Sequence, residues 1–158
     1  MALVVALCGL ATAGPAMAAT QQPVAAASTG AQELAPAIPT GFVDLPTSAL
    51  PADDEPHEFT VIYRNDSRAD RTVAPQLLVT SPDAGPFQDP ADVKLERRTA
   101  HGCWKPVQLG TQSGALFTDL TTARRPLHSG ETLTQVYRLT VVDPEAEGTV
   151  APRVALYG

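Results

Sequence analysis

The sequence predicts an all-β fold, an antiparallel two-sheet sandwich of about seven strands over residues 57–158. Apolar and polar residues alternate in several short runs of this region, which is typical of strands with one buried face. Gly, Pro, Asn, Asp and Ser punctuate these runs at intervals of roughly 8–15 positions, and no stretch shows a helical period. Short, evenly spaced strands favour a sandwich, with a partly open barrel as the alternative.

The first two predicted strands are alternating runs joined by a polar turn. Phe59, Val61 and Tyr63 share one face of the first strand, because successive side chains of a strand point to opposite faces. Asn65-Asp66-Ser67 supplies turn residues after it. The second strand has an apolar face made of Val73, Pro75, Leu77 and Val79.

Five further runs complete the predicted sandwich. Residues 93–97 form a third strand, and a turn at His101-Gly102 leads to a hairpin partner over residues 104–109. Trp104 is the only tryptophan, and its bulk suits the space between the sheets. The last three runs are 114–120, 132–141 and 150–156.

An apolar segment followed by a small-x-small triplet predicts a secretory signal peptide over residues 1–18. Residues 1–10 are almost entirely apolar, and Ala16-Met17-Ala18 offers a cleavage site. No Lys or Arg precedes the apolar run, so either the natural start lies upstream of Met1 or the amino terminus alone supplies the positive charge. We expect a protein that is secreted, extracellular or associated with the cell wall. No second stretch approaches the ~20 apolar residues of a spanning helix, so the mature chain should have no membrane span.

Residues 19–56 are rich in Ala and Pro and carry only acidic charges. Such a segment buries too little apolar surface to offset its ordering entropy, so it predicts a flexible acidic spacer. Within it, Gly41–Leu45 could lie against the domain as a short edge strand. The formal net charge is −6, and all eleven Lys and Arg residues lie after position 58 with eleven of the seventeen acids. A domain that is neutral on balance argues against nucleic-acid binding.

Cys103 is the only cysteine after the predicted signal peptide. A lone cysteine in a secreted protein is either a small buried apolar residue or an intermolecular link. We expect Cys103 to be buried. With a single cysteine, the domain has no internal disulfide to stabilise it.

Two motifs resemble the immunoglobulin-like repeats of secreted bacterial proteins. One is the extended run at residues 59–64 followed by Asn65-Asp66-Ser67, and the other is Ser129-Gly130-Glu131-Thr132 before the strand at 136–141. The chain is also similar to small secreted proteins of high-GC Gram-positive bacteria, which share its preference for Arg over Lys and its Ala/Pro richness. The resemblance covers about residues 57–158. It implies an immunoglobulin-like sandwich and no catalytic residues.

The candidate catalytic and metal-binding residues form no complete pattern. The alternative to a non-enzymatic protein is a small secreted hydrolase or metal-dependent enzyme using His101, Cys103 or His128. A structural zinc site needs four ligands, however, and Ser113 in residues 110–114 lies one place too late for a nucleophile elbow. Asp83, Asp89 and Asp92 offer oxygen ligands for calcium without a known loop spacing. We therefore expect no enzyme activity, no metal and no cofactor.

We expect any contact with an anionic polymer to be made by Arg124 and Arg125. They lie in a loop before Pro126, where guanidinium groups can grip phosphate or carboxylate. Arg97 and Arg98 are adjacent on one strand and should point to opposite faces, and Glu96 should share the solvated face of Lys94 and Arg98.

These features predict a secreted, non-catalytic interaction or cell-surface module. Its partner would be an unknown protein or a cell-wall polymer. A further possibility is a structural subunit that assembles through its edge strands, with or without a disulfide at Cys103.

Overall fold

The computed structural model describes residues 37–158, which form eleven strands and one short 3₁₀ turn, Pro90–Asp92. The strands are β1 (Gly41–Asp44), β2 (Ser48–Ala49), β3 (His57–Arg64), β4 (Arg71–Thr80), β5 (Val93–Arg98), β6 (Trp104–Pro106), β7 (Leu109–Gln112), β8 (Ala115–Thr118), β9 (Arg125–Leu127), β10 (Thr132–Val141) and β11 (Thr149–Tyr157). The strands beyond the seven predicted are β1, β2, β7 and β9, none longer than four residues.

The strands form two antiparallel sheets, which confirms the predicted all-β two-sheet sandwich. The larger sheet has the order β1-β11-β4-β8-β7, with β2 also paired to β11 and β9 also paired to β4. The smaller sheet has the order β3-β10-β5-β6. The chain crosses between the sheets after β2, β3, β4, β6, β9 and β10, so the core is built from residues distant in sequence.

The predicted alternation decides which side chains fill the space between the sheets. In the smaller sheet, Phe59 pairs with Tyr137 and Tyr63 with Leu133, and these residues belong to or pack against the core. The outward residues of β3, such as Ile62, are exposed. The largest fully buried apolar side chains are Leu77, Leu116, Leu127, Leu133, Leu139, Val61, Val73, Val79, Val150 and Val154.

The sandwich begins before residue 57, where the sequence placed the end of the spacer. Strand β1 pairs with Arg153–Leu156 of β11, so the possible edge strand at residues 41–45 is a strand. Leu50 is only 8% exposed and belongs to the core. The alternation of apolar and polar residues is not evident in residues 37–56, because the apolar residues there are few and are separated by prolines. The predicted signal peptide and residues 19–36 of the spacer lie outside the described residues.

Trp104 does not occupy the space between the sheets, contrary to the prediction. It is half-buried on the outer face of the smaller sheet, where the Arg138 guanidinium lies 4.5 Å from the centre of its ring. Trp104 pairs with Arg98, and this register sends both side chains outward. A strand of three residues is too short for alternation to reveal which face is buried.

Candidate functional site

A cleft opens between the sheets where the loop of residues 119–124 interrupts the ladder of β4. Strand β8 pairs with Leu78–Thr80 and β9 with Arg71–Val73, so the middle of β4 has a loop instead of a strand beside it. Thr118 closes part of this gap, because its carbonyl oxygen accepts from Gln76 Nε2 at 2.9 Å and its hydroxyl accepts from the Leu77 amide at 3.1 Å. The remaining gap gives access to the space between the sheets.

The cleft consists of two adjoining cavities of about 300 and 210 Å³. Both are lined by Arg97, Thr122, Ala123 and Tyr137. Tyr137 is 3% exposed and pairs across the smaller sheet with Arg97, so both side chains point into the cleft. The larger cavity adds Pro106, Val107, Gln108, Thr118 and Asp119, and the smaller one adds Pro75, Arg124, Arg125 and Gln135.

Arg124 and Arg125, the residues predicted to contact an anionic polymer, both line the smaller cavity. Arg125 belongs to β9 and pairs with Val73, while the Arg124 guanidinium lies 5.6 Å from the centre of the Tyr157 ring. The structure adds Arg97 from the opposite sheet. Within residues 37–158, none of these three guanidinium groups forms an ion pair.

Burial and like charge both act on the arginines of the cleft. Burial lowers the pKa of Arg125; Tyr137 and Glu131 oppose that shift, and the positive charge of Arg97 adds to it. Burial also raises the pKa of Tyr137 to about 12, so its phenol stays protonated and can donate a hydrogen bond. Like charges that share a cleft are stabilised by an anion between them.

Asp119, a carboxylate that lines the larger cavity, is engaged by its own loop. Its oxygens accept from the amides of Thr121 at 3.1 Å and Thr122 at 2.9 Å. The hydrogen bond from the Thr122 amide lowers the pKa of Asp119, so this residue stays ionised. The loop thus uses Asp119 to hold its own turn.

Arg97 and Arg98 serve different faces, as predicted from strand alternation. Arg97 lines the cleft, whereas Arg98 pairs with Trp104 on the outer face. On that face Glu96 lies between Arg138, at 2.6 Å, and Lys94, at 3.4 Å. The predicted cross-strand charge pair is therefore confirmed, but the Glu96 side chain is only 12% exposed, so this part of the face is not solvated as predicted. Arg97 could have been assigned to the cleft from its spacing of two from the buried Leu95.

The residues of the enzyme alternative lie on exposed turns. His101 and Cys103 belong to the β5–β6 turn and His128 to the β9–β10 turn, and all three are exposed. The prediction that Cys103 is buried is therefore wrong. Thr99 holds the Cys103 backbone in the turn by hydrogen bonds, and the Cys103 side chain faces solvent. No hydrogen bond joins His101 or Cys103 to His128.

His128 does contact a carboxylate. Its Nδ1 lies 2.9 Å from Asp70 Oδ2, but the two side chains are 72% and 64% exposed. The neighbouring Ser129 hydroxyl donates to the carbonyl oxygen of Ser67 at 2.7 Å and not to the imidazole. This arrangement connects the β3–β4 turn to the β9–β10 turn.

The aspartates considered for calcium hold a turn together. Asp89 accepts from the Ala91 amide, and Asp92 accepts from the Asp89 amide at 2.6 Å, which is a reciprocal cap of the 3₁₀ turn. In the part of the chain from residue 37 onward, no group of three or more His, Cys, Asp or Glu residues is placed to hold a metal ion.

Residues 37–158 also contain no helix with the length and apolarity to cross a membrane. The chain matches no protein-family model, no curated protein and no solved structure.

Proposed function

We propose that this protein is a secreted, non-catalytic, immunoglobulin-like module that binds an anionic cell-wall polymer at the bacterial surface. The observation that carries the proposal is the cleft between the sheets. Arg97, Arg124 and Arg125 line it together, and none of them has a carboxylate partner within the described residues.

The chemistry of the cleft suits phosphate or carboxylate groups. Guanidinium forks bind both groups in a bidentate manner, and such charge-assisted hydrogen bonds are stronger than neutral ones. The buried phenol of Tyr137 adds a donor beside the arginines, whereas the side-chain amide of Gln135 already donates to the carbonyl oxygens of Arg98 and Val136. Each group of the polymer would thus meet several donors at once.

The charge of the whole chain favours local rather than general attraction. The formal net charge is −6, so the protein as a whole repels a polyanion. Binding must therefore depend on the cleft, and removing its positive charges should abolish binding.

Sedimentation with isolated cell wall at low salt tests the proposal. The wild-type protein should sediment with the wall, and the triple variant Arg97→Ala/Arg124→Ala/Arg125→Ala should stay in solution. The matched control is Arg68→Ala/Arg71→Ala/Lys105→Ala, which removes three exposed cations outside the cleft. Failure of the wild type to sediment, or equal sedimentation of both variants, would refute the proposal.

Secretion has its own test. A tagged protein should be found in the medium or the wall fraction, and the mass of its N-terminal peptide should correspond to cleavage after Ala18. Recovery in the cytosol with residues 1–18 still attached would contradict it.

A further inference from the structure

Strand β3 forms one edge of the smaller sheet. It pairs with β10 on one side, and the sheet order β3-β10-β5-β6 places no strand on its other side within residues 37–158. Its eight residues contain no proline. An edge of this length is a template for pairing with another strand.

The direction of the backbone shows which groups of β3 are free. The Asn65 amide donates to the Glu131 carbonyl oxygen at 2.9 Å, and the Asn65 carbonyl oxygen accepts from the Gly130 amide at 2.7 Å. Asn65 therefore points its backbone groups toward the β10 side. Because this direction alternates along a strand, odd-numbered residues of β3 bond to β10. The free backbone groups belong to Glu58, Thr60, Ile62 and Arg64.

The sequence of β3 is self-complementary when two copies run antiparallel with Val61 at the centre. In that register Glu58 lies opposite Arg64, and Thr60 lies opposite Ile62. On the inner face, Phe59 lies opposite Tyr63. Opposite charges and paired aromatic rings are both favourable cross-strand neighbours.

We propose that β3 pairs with β3 of a second copy in this register, so that the two smaller sheets join into one. The register uses all four residues whose backbone groups are free, whereas a shift of two residues leaves one of them without a partner within the strand. An isologous contact of this kind closes as a twofold dimer.

The side chains of the edge are available for this contact. Glu58 forms no ion pair within the described residues. Arg64 uses Nε for Asp66 at 2.9 Å, which leaves its terminal nitrogens for a carboxylate of the second copy. Ile62 is 55% exposed, and pairing would cover part of its surface.

Charge reversal tests the register. Glu58→Arg places Arg opposite Arg at both ends of the interface, and Arg64→Glu places Glu opposite Glu. Each variant alone should dimerise at least roughly tenfold more weakly than the wild type. An equimolar mixture of the two should recover association, because both facing pairs become attractive in the mixed dimer.

Analytical ultracentrifugation at protein concentrations up to the millimolar range measures these effects. All samples carry Cys103→Ser, which removes disulfide-linked dimers. Glu145→Arg is the matched control, since it reverses an exposed acidic residue away from β3 and should leave dimerisation unchanged. A wild-type protein that stays monomeric, or a mixture that associates no better than its components, overturns the proposal.

Hydrogen exchange gives a second readout that needs no variant. The amides of Thr60 and Ile62 should become protected as protein concentration rises, whereas those of Val61 and Tyr63 should be protected at all concentrations because they bond to β10. Protection of all four amides that does not change with concentration would contradict the dimer.

Discussion

The side-chain amide of Asn65 donates a 3.1 Å hydrogen bond to the carbonyl oxygen of Leu127, 62 positions further along the chain. The same amide donates to Ala69 at 2.9 Å, and the Asn65 side-chain oxygen accepts from the amide and the hydroxyl of Ser67. Asn65 is 0% exposed, and its side chain is fully hydrogen-bonded. The Asn-Asp-Ser motif thus fixes the β3–β4 turn against the strand that leads to the Ser-Gly-Glu-Thr motif.

Replacing Asn65 should destabilise the whole sandwich. Asn65→Ala leaves the buried carbonyl group of Leu127 without this donor and removes the hydrogen bonds to Ala69 and Ser67, which should lower the free energy of unfolding by about 2–4 kcal/mol. Urea denaturation measures this change. Asp66→Ala is the control at the next position and should cost less than about 1 kcal/mol, because the ion pair of Asp66 with Arg64 is exposed. Equal losses in the two variants would show that Asn65 has no special role.

Residues 37–56 should be required for stability although the sequence assigned them to a spacer. A chain that starts at residue 57 lacks β1, β2 and the buried Leu50 and exposes the edge of β11. Its free energy of unfolding should fall by more than about 3 kcal/mol relative to a chain that starts at residue 37, since losing one buried leucine already costs 2–5 kcal/mol. If the two chains give indistinguishable denaturation curves, residues 37–56 do not stabilise the sandwich and the domain begins at residue 57.

The sequence predicted the larger strands because their inner residues alternate over five positions or more, as in Phe59–Tyr63 and Val73–Val79. It did not predict β9, whose three residues are too few to show a period. The cleft was predicted only in part. Arg124 and Arg125 were predicted from their residue type. Their proximity to Arg97 depends on how the two sheets pack, and no local sequence pattern predicts the distance between strands that are about thirty residues apart.

The contact between His128 and Asp70 should be visible in an NMR titration. The hydrogen bond to Asp70 raises the pKa of His128 above its ordinary value of 6.5. In Asp70→Asn this pKa should fall toward 6.5, while Asp66→Asn, which is not a partner of the imidazole, should leave it unchanged. An unshifted wild-type His128 would show that the contact does not persist in solution.

The same contact predicts a pH dependence of stability. Because folding favours protonated His128, its contribution is complete below about pH 6.5 and is lost as pH rises through the raised pKa. Hydrogen bonding to His128 lowers the pKa of Asp70 below its ordinary 3.8, so the contribution of Asp70 is lost as pH falls through that lowered pKa. The difference in melting temperature between wild type and Asp70→Asn should therefore shrink in alkaline solution.

Trp104 reports on the outer face of the smaller sheet. Arg138→Ala removes both the cation over the Trp104 ring and the partner of Glu96, and should lower the free energy of unfolding by about 1–3 kcal/mol. Because Trp104 is the only tryptophan, its emission should shift to longer wavelength as water reaches the ring. Arg138→Lys keeps the charge and should recover part of the loss. An unchanged emission spectrum in Arg138→Ala would contradict this arrangement.

Arg97 and Arg98 point to opposite faces of β5, and this matters when the sequence is compared with those of related proteins. An insertion of one residue in β5 would exchange the two side chains, so that a different arginine would reach the cleft although the amino-acid composition stayed the same. Conservation of the pair as a dipeptide would therefore say little about ligand binding. The informative quantity is whether a cation stands an even number of residues after Leu95.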